Sequence, residues 1–478
     1  MNYSIIRYIL CRVLEFEGVF LILPCIVAII YGEKEGVAYA VTMLFCLVCG
    51  TIGKQFKPKS KVFFAKEGFV TVSLSWIIIS LIGALPFYFT REIPSYMDAL
   101  FETVSGFTTT GGSIITDLAS LSRCTQFWRL FTHWIGGMGV LVFIMAVLPL
   151  SGSYNMHLMR AESPGPSVGK LVPKVRNTAM ILYGIYVAIT FVEIIALLFT
   201  GMSLYDSITL TFSTVGTGGF GLLGDSLGSY STATQIVITI FMILCGVNFN
   251  IYYMFLILRP KDAFKSEEVR AYFLIILGAA LLITWNIHGT FANGFIDFQQ
   301  ALLHVASIIT TTGFAAVDYN NWPEFSKAIL FLLTLIGACA GSTGGGFKVS
   351  RLVVLFKSIR NEVSQVVHPR SVKKIHLDGK LIPDGMVRSI RVYLMIYVVV
   401  YLISFLVLSL DNFDFTTNFT AVAANLNNVG PGLNMVGPAG NYSEFSILSK
   451  LVLIFDMLIG RLEFLPMLVL LNPKTWRK

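Results

Sequence analysis

Apolar stretches of about 20 residues, the length that crosses a bilayer as helix, recur along the whole chain. They fall near 13–31, 37–53, 68–90, 127–150, 178–200, 232–258, 271–290, 325–358, 390–410 and 446–471, a pattern that predicts ten spans. Four shorter apolar stretches, 96–107, 203–216, 297–310 and 415–427, run into small polar clusters. They are too short to span and read as half-helices that enter the membrane and stop. After the first two helices, the order span, half-helix, loop, span occurs four times, an internal repeat.

The four loops align without gaps as Thr109-Thr110-Gly111-Gly112, Thr217-Gly218-Gly219-Phe220, Thr311-Thr312-Gly313-Phe314 and Asn428-Val429-Gly430-Pro431. Six residues before the shared glycine stand Ser105, Ser213, Ser307 and Ala424. Another register for the second loop uses Thr214-Val215-Gly216, but the Ser and Phe matches favour Gly219. The expected fold is an all-α polytopic membrane protein. Four parallel M1–pore-helix–filter–M2 repeats, in pseudo-fourfold arrangement, follow two extra N-terminal transmembrane helices. The divisions are 1–60 for those two helices, 61–160 for pore repeat 1, 161–262 for repeat 2, 263–370 for repeat 3 and 371–478 for repeat 4.

Composition agrees. Of the 478 residues 55% are hydrophobic and 13% charged, and mean hydropathy is +0.74, too few charges to cover so much apolar surface in water. The net charge of +8 sits in short loops, which suits the positive-inside rule better than nucleic-acid binding. With a cytoplasmic N-terminus, 28 of the 35 Lys and Arg lie in inside segments and all four loops face outside, so the repeats are parallel. Arg7, Arg12, Glu15 and Glu17 precede or enter the first apolar stretch with no small-residue cleavage pattern, so it reads as a retained helix and not a signal peptide. Six of the seven cysteines, including the Cys46/Cys49 pair, lie in apolar surroundings and read as packing residues.

The loops carry the chemistry. Irregular backbone at membrane depth must line water or be buried in protein. Four such loops entering from one side can meet around an axis and offer carbonyls in place of an ion's hydration shell. Half-helix C-termini add partial negative charge. No ring of Asp or Glu occupies the loops, which disfavours a divalent cation. Asp98 and Glu102 stand near the first loop as candidate attractors of cations or as solvated surface charge.

These features resemble the Trk/Ktr/HKT superfamily of potassium transporters, and within it the bacterial TrkH-type membrane subunit, over nearly the whole chain. The two extra N-terminal helices match that type. The resemblance implies one key glycine per filter loop: Gly111, Gly219, Gly313 and Gly430. In plant-type relatives Ser at the first of these goes with sodium, so Gly111 favours potassium. His133-Trp134-Ile135-Gly136-Gly137-Met138-Gly139 resembles the family's W-x-G-G-M-G. Asn248-Phe249 also fits, though Tyr252 stands where family members often have His.

The third repeat's last span is interrupted by Gly337-Ala338-Cys339-Ala340-Gly341-Ser342-Thr343-Gly344-Gly345-Gly346-Phe347-Lys348, glycine-rich enough to break a helix. It resembles the intramembrane loop that gates this family; the bland alternative is a close-packing hinge. Arg461, a charge within the last span, is costly there. The resemblance places it in the permeation path, where it would hold the loop through carbonyls or repel cations, against snorkelling or pairing with Asp456 or Glu463. Glu193, mid-span in repeat 2, suggests only a helix-to-helix hydrogen bond.

The expected function is gated, channel-like potassium uptake, with K+ as the substrate ion and no cofactor bound by the chain. The resemblance further implies a homodimer, a cytoplasmic TrkA-type partner binding NAD or nucleotides, and a bacterial inner membrane with both termini cytoplasmic. The basic loops 151–177, 259–270 and 348–391 are candidate docking surfaces. A secondary transporter coupled to H+ or Na+ would suit broken helices but would normally use two inverted repeats. An enzyme is disfavoured: there is no P-loop, and the six histidines have no metal-ligand spacing.

Overall fold

The computed structural model describes residues 1–56, 58, 64–139, 175–259, 263, 265–370 and 374–476. Lys57, Lys59, Lys61, Arg160, Lys170, Lys174, Lys261, Lys373, Arg477 and Lys478, expected to face inside, and most of the expected docking loop 151–177 lie outside these residues.

The N-terminal unit is α1 (Tyr3–Phe20), α2 (Ile22–Tyr31) and α3 (Gly36–Gln55). Gly18 faces Leu47 and Cys46, and Gly50 faces the Cys11 carbonyl, so small residues let α1 and α3 approach closely. The segment expected as repeat 1 holds α4 (Ala65–Gly83), α5 (Leu85–Thr90), half-helix α6 (Tyr96–Phe107) and α7 (Arg123–Met138), and those expected as repeats 2, 3 and 4 follow it. Repeat 2 is α8 (Val175–Phe199), half-helix α9 (Leu204–Val215), α10 (Thr232–Cys245) and α11 (Phe249–Leu256). Repeat 3 is α12 (Glu267–Asn286), half-helix α13 (Gly294–Ile309), α14 (Glu324–Ile336) and α15 (Val349–Val367). A two-residue hairpin pairs β1 (His376–Leu377) with β2 (Lys380–Leu381). Repeat 4 is α16 (Asp384–Leu408), half-helix α17 (Phe415–Leu426), α18 (Ile447–Leu462) and α19 (Phe464–Leu471), ahead of the short α20 (Pro473–Trp476).

Each half-helix opens on a side-chain cap that occupies an otherwise unpaired amide: Ser95, Ser203, Asn293 and Asp414 accept from the third residue beyond. Burial raises the Asp414 carboxyl, but hydrogen bonds from Thr417 and Asn434 outweigh it and hold the group below the usual carboxylate range. The helices after the loops start the same way at Ser122, Ser231 and Ser446.

The chain is a multi-pass helical protein. Among the described residues six helices are long and apolar enough to cross a membrane: Tyr3–Tyr31, Gly36–Gln55, Ala65–Thr90, Asn177–Phe199, Glu267–Asn286 and Asp384–Asp411. The pair α10 and α11, bent by 89°, would make a seventh. Residues 140–150 of the expected span 127–150 lie outside the described residues. The stretches 325–358 and 446–471 divide into α14 and α15 and into α18 and α19. Hydropathy averages across such breaks and does not register them.

Candidate functional site

The C-terminal ends of α6, α9, α13 and α17 lead into the four Thr/Gly loops, and the backbone there is the same each time. Two residues in each loop have positive φ: Thr109 (53°) and Gly111 (79°), Thr217 (55°) and Gly219 (84°), Thr311 (58°) and Gly313 (85°), Asn428 (55°) and Gly430 (88°). The residue between them does not. The φ near +80° at the second position is what glycine supplies. The intervening residue donates its amide to the half-helix in every loop. Thr110 bonds Ser105 O at 2.9 Å, while Gly218 bonds Ser213 O, Thr312 bonds Ser307 O and Val429 bonds Ala424 O, each at 2.8 Å. The acceptor is main chain, so alanine serves at 424.

The loops also meet in cyclic order. A Cβ on Gly111 would overlap Gly218 O, one on Gly219 would overlap Thr312 O, one on Gly313 would overlap Val429 O, and one on Gly430 would overlap Thr110 O. Each glycine faces the carbonyl that precedes the glycine of the next loop. On one side the four glycines line a cavity of about 110 Å³ shared with Arg129.

Side chains brace this ring. His133 Nε2 accepts from the Phe220 amide at 3.3 Å, which leaves the proton on Nδ1 to donate to Gly106 O at 2.8 Å. Tyr442 Oη donates to Gly430 O at 2.7 Å. Asn428 Nδ2 donates to Thr110 Oγ1 at 3.0 Å and Met457 O at 2.9 Å. Glu102 is buried in a 2.7 Å ion pair with Arg129 and accepts from the Ile114 amide. Asp98 pairs with Lys450 at 2.8 Å. Both carboxylates are therefore engaged and do not stand as bare charges at the mouth.

The segment Gly337–Lys348 packs against the ring. Gly345 donates its amide to Thr311 Oγ1 at 2.6 Å. A Cβ on Gly344 would come within 2.7 Å of Thr310 O, and one on Gly345 within 2.7 Å of Asn427 O. The loop docks on the bend between α10 and α11: Cys339 N bonds Gly246 O, Phe249 N bonds Gly341 O, and Thr343 Oγ1 bonds Cys245 O. Tyr252 Oη spans that bend to Leu244 O at 2.6 Å. Within the loop, Lys348 (φ 83°) turns its ammonium onto Gly344 O.

Arg461 connects this loop to repeat 1. It donates to Thr343 O and Gly137 O, both at 2.7 Å, and to Gly136 O. A lone Arg at a helix centre costs about 2.5–3.5 kcal/mol, while hydrogen bonds to charged groups contribute about 1.5–3 kcal/mol each. Three such bonds more than offset the cost. Glu463 pairs with Arg351, and Asp456 accepts from Ser404 at 2.8 Å.

Two contributors carried no signal as site residues. Glu268, at the start of α12, accepts from the Ala340 amide at 2.6 Å and the Ser350 amide at 3.2 Å, so it ties the loop to the first turn of α15. His133 stands in a quoted motif, but its bracing role depends on Phe220, 87 residues away. Glu193 is fully buried in α8, apart from these contacts.

Known proteins match the chain over almost all of its length. The family model for TrkH, "Cation transport protein", matches residues 37–285 and 292–478. The Trk system potassium uptake protein TrkH of Salmonella typhimurium is 36% identical, with 99% of each chain covered. TrkG of Escherichia coli is 32% identical over 95% of this chain and 94% of its own. The crystal structure of the potassium transporter TrkH from Vibrio parahaemolyticus superposes with a TM-score of 0.89 at 32% identity, covering all of both chains.

Proposed function

Given that the chain belongs to the TrkH family of cation transport proteins, we propose that it is the gated, potassium-selective uptake pore of a Trk-type system. The observation that carries the reading is the cyclic contact of the four ring glycines with the next loop's carbonyl. In this reading the ion sheds water against carbonyls of Thr109, Thr110, Gly111 and Gly112, of Thr217, Gly218 and Gly219, of Thr311, Thr312 and Gly313, and of Asn428, Val429 and Gly430. The four half-helices present their negative ends to it. The membrane potential, about 2.3 kcal/mol per charge per 100 mV, draws the ion inward without nucleotide hydrolysis.

The segment Gly337–Lys348 is the gate. Gly337, Gly341, Ser342, Thr343, Gly344, Gly345, Gly346 and Lys348 form the plug, and Arg461 latches it to the helix after the first loop. The bonds from Gly345 to Thr311 and from Arg461 to Thr343 support a closed arrangement. Both termini face the cytoplasm of a bacterial inner membrane. There a homodimer meets a TrkA-type regulatory partner at the basic loops.

The test is uptake of radiolabelled rubidium into proteoliposomes holding the purified full chain, with K+ or Na+ competing outside. Competition by K+ far better than by Na+ is expected. Equal competition, or silence that persists in Arg461→Ala, overturns the reading.

A further inference from the structure

A second cavity, of about 480 Å³, opens between α15, α16 and α19, within the size range of ligand clefts, about 300–1,000 Å³. Its polar end holds Arg351, Arg388 and Ser389, and its apolar wall includes Tyr393, Ile396 and Leu465. Arg351 is spent inside the protein: it pairs with Glu463 and lies 4.1 Å from the Tyr393 ring centre. Arg388 is exposed and has no ion pair or hydrogen bond among the described residues. With Glu463 neutralised by Arg351, the lining keeps one uncompensated positive charge. Below it Val392, Met395 and Leu465 are exposed on an apolar helix surface.

We infer that this cavity binds an anionic phospholipid, its phosphate on Arg388 and its chains along α16 and α19. The match is of charge and of shape: a cation at the first turns of a spanning helix, above exposed apolar side chains, complements an anionic headgroup with acyl chains. The walls give the site its consequence. Helix α15 begins one residue after the Gly337–Lys348 loop, and Glu463 (φ 62°) is the break that follows Arg461. The lipid thus rests on both arms of the gate. The inference builds on the orientation proposed above, which puts Arg388 in the anionic inner leaflet.

The experiment is native mass spectrometry of the full chain taken from vesicles of mixed phosphatidylcholine and phosphatidylglycerol. The wild-type chain is expected to retain phosphatidylglycerol about fivefold over Arg388→Gln, the factor one basic side chain near an anionic surface supplies, and Arg388→Lys should recover most of it. Equal retention by wild type and Arg388→Gln, or equal retention of both lipids, overturns the site. So does a change confined to the dimer fraction, which would make the cavity an interface between copies. Thiol labelling of Ser389→Cys from each side reads the orientation separately, so retention with labelling from outside would keep the site and discard the topology.

Discussion

The ring of Thr/Gly loops and the Gly337–Lys348 segment touch one another and are both rich in glycine, yet they are held by different means. The ring repeats one main-chain pattern four times, each loop bonded to its own half-helix and seated against the next loop's carbonyl. No single side chain carries it. The segment beside it occurs once and has no such repeated pattern: two main-chain bonds seat it on the α10–α11 bend, and side chains of distant elements add the rest, Arg461 from repeat 4, Glu268 at the start of repeat 3 and Thr311 of the ring. Backbone contacts fixed by sterics cannot be released without rebuilding the fold. A few side-chain bonds of about 1–3 kcal/mol each can be exchanged when a conformational change offers others. The contrast fits a rigid element for selection and a releasable one for gating.

Adding one methyl to the ring should break it most. Gly219→Ala forces a left-handed alanine, about 1–2 kcal/mol by itself, and drives Cβ into Thr312 O. Discrimination of K+ over Na+ in the rubidium assay should fall by roughly tenfold or more, and Gly111→Ser should act alike. Gly278→Ala in α12, where nothing lies within 4 Å, is the matched control and should leave discrimination unchanged. An unaffected Gly219→Ala chain would show that the loop can give way.

The latch comes next. Arg461→Ala removes three carbonyl bonds to a charged group and should raise basal flux by about tenfold or more with K+ preference intact. Flux that stays low, or selectivity that falls with it, would mean that Arg461 serves the ring and not the gate.

Much of this contrast could be read from residue order. The loops are legible because a steric need recurs at fixed spacing: a glycine six residues after a half-helix carbonyl, four times. The interrupted span at 337–348 is legible because five glycines in ten residues disfavour helix. The breaks at Gly246–Asn248 and Glu463 are not, because they sit in apolar surroundings and depend on what docks there: the loop strand at Gly341 in one case, the pair with Arg351 in the other. Asp98 and Glu102 looked like free acids because their partners, Lys450 and Arg129, are 352 and 27 residues away. Glu268 stands in Ser266-Glu267-Glu268-Val269-Arg270, which reads as a solvated helix start; its two amide donors come from residues 72 and 82 positions on.

Glu268 gives the smallest and sharpest test of how the loop is tethered. Its carboxylate accepts from the Ala340 amide within the segment and the Ser350 amide just beyond it. Glu268→Gln keeps an acceptor oxygen and loses the charge, a difference of about 1 kcal/mol between charged and neutral hydrogen bonds, so basal flux should rise about fivefold. Glu268→Ala removes both bonds and should raise it further, toward the Arg461→Ala level. K+ preference should hold in both, because the ring's own bonds are untouched. Equal flux in Gln and Ala would assign the whole effect to charge. No change in either would leave Arg461 and the α10–α11 bend as the tethers, and the loop would then be hinged from one side only.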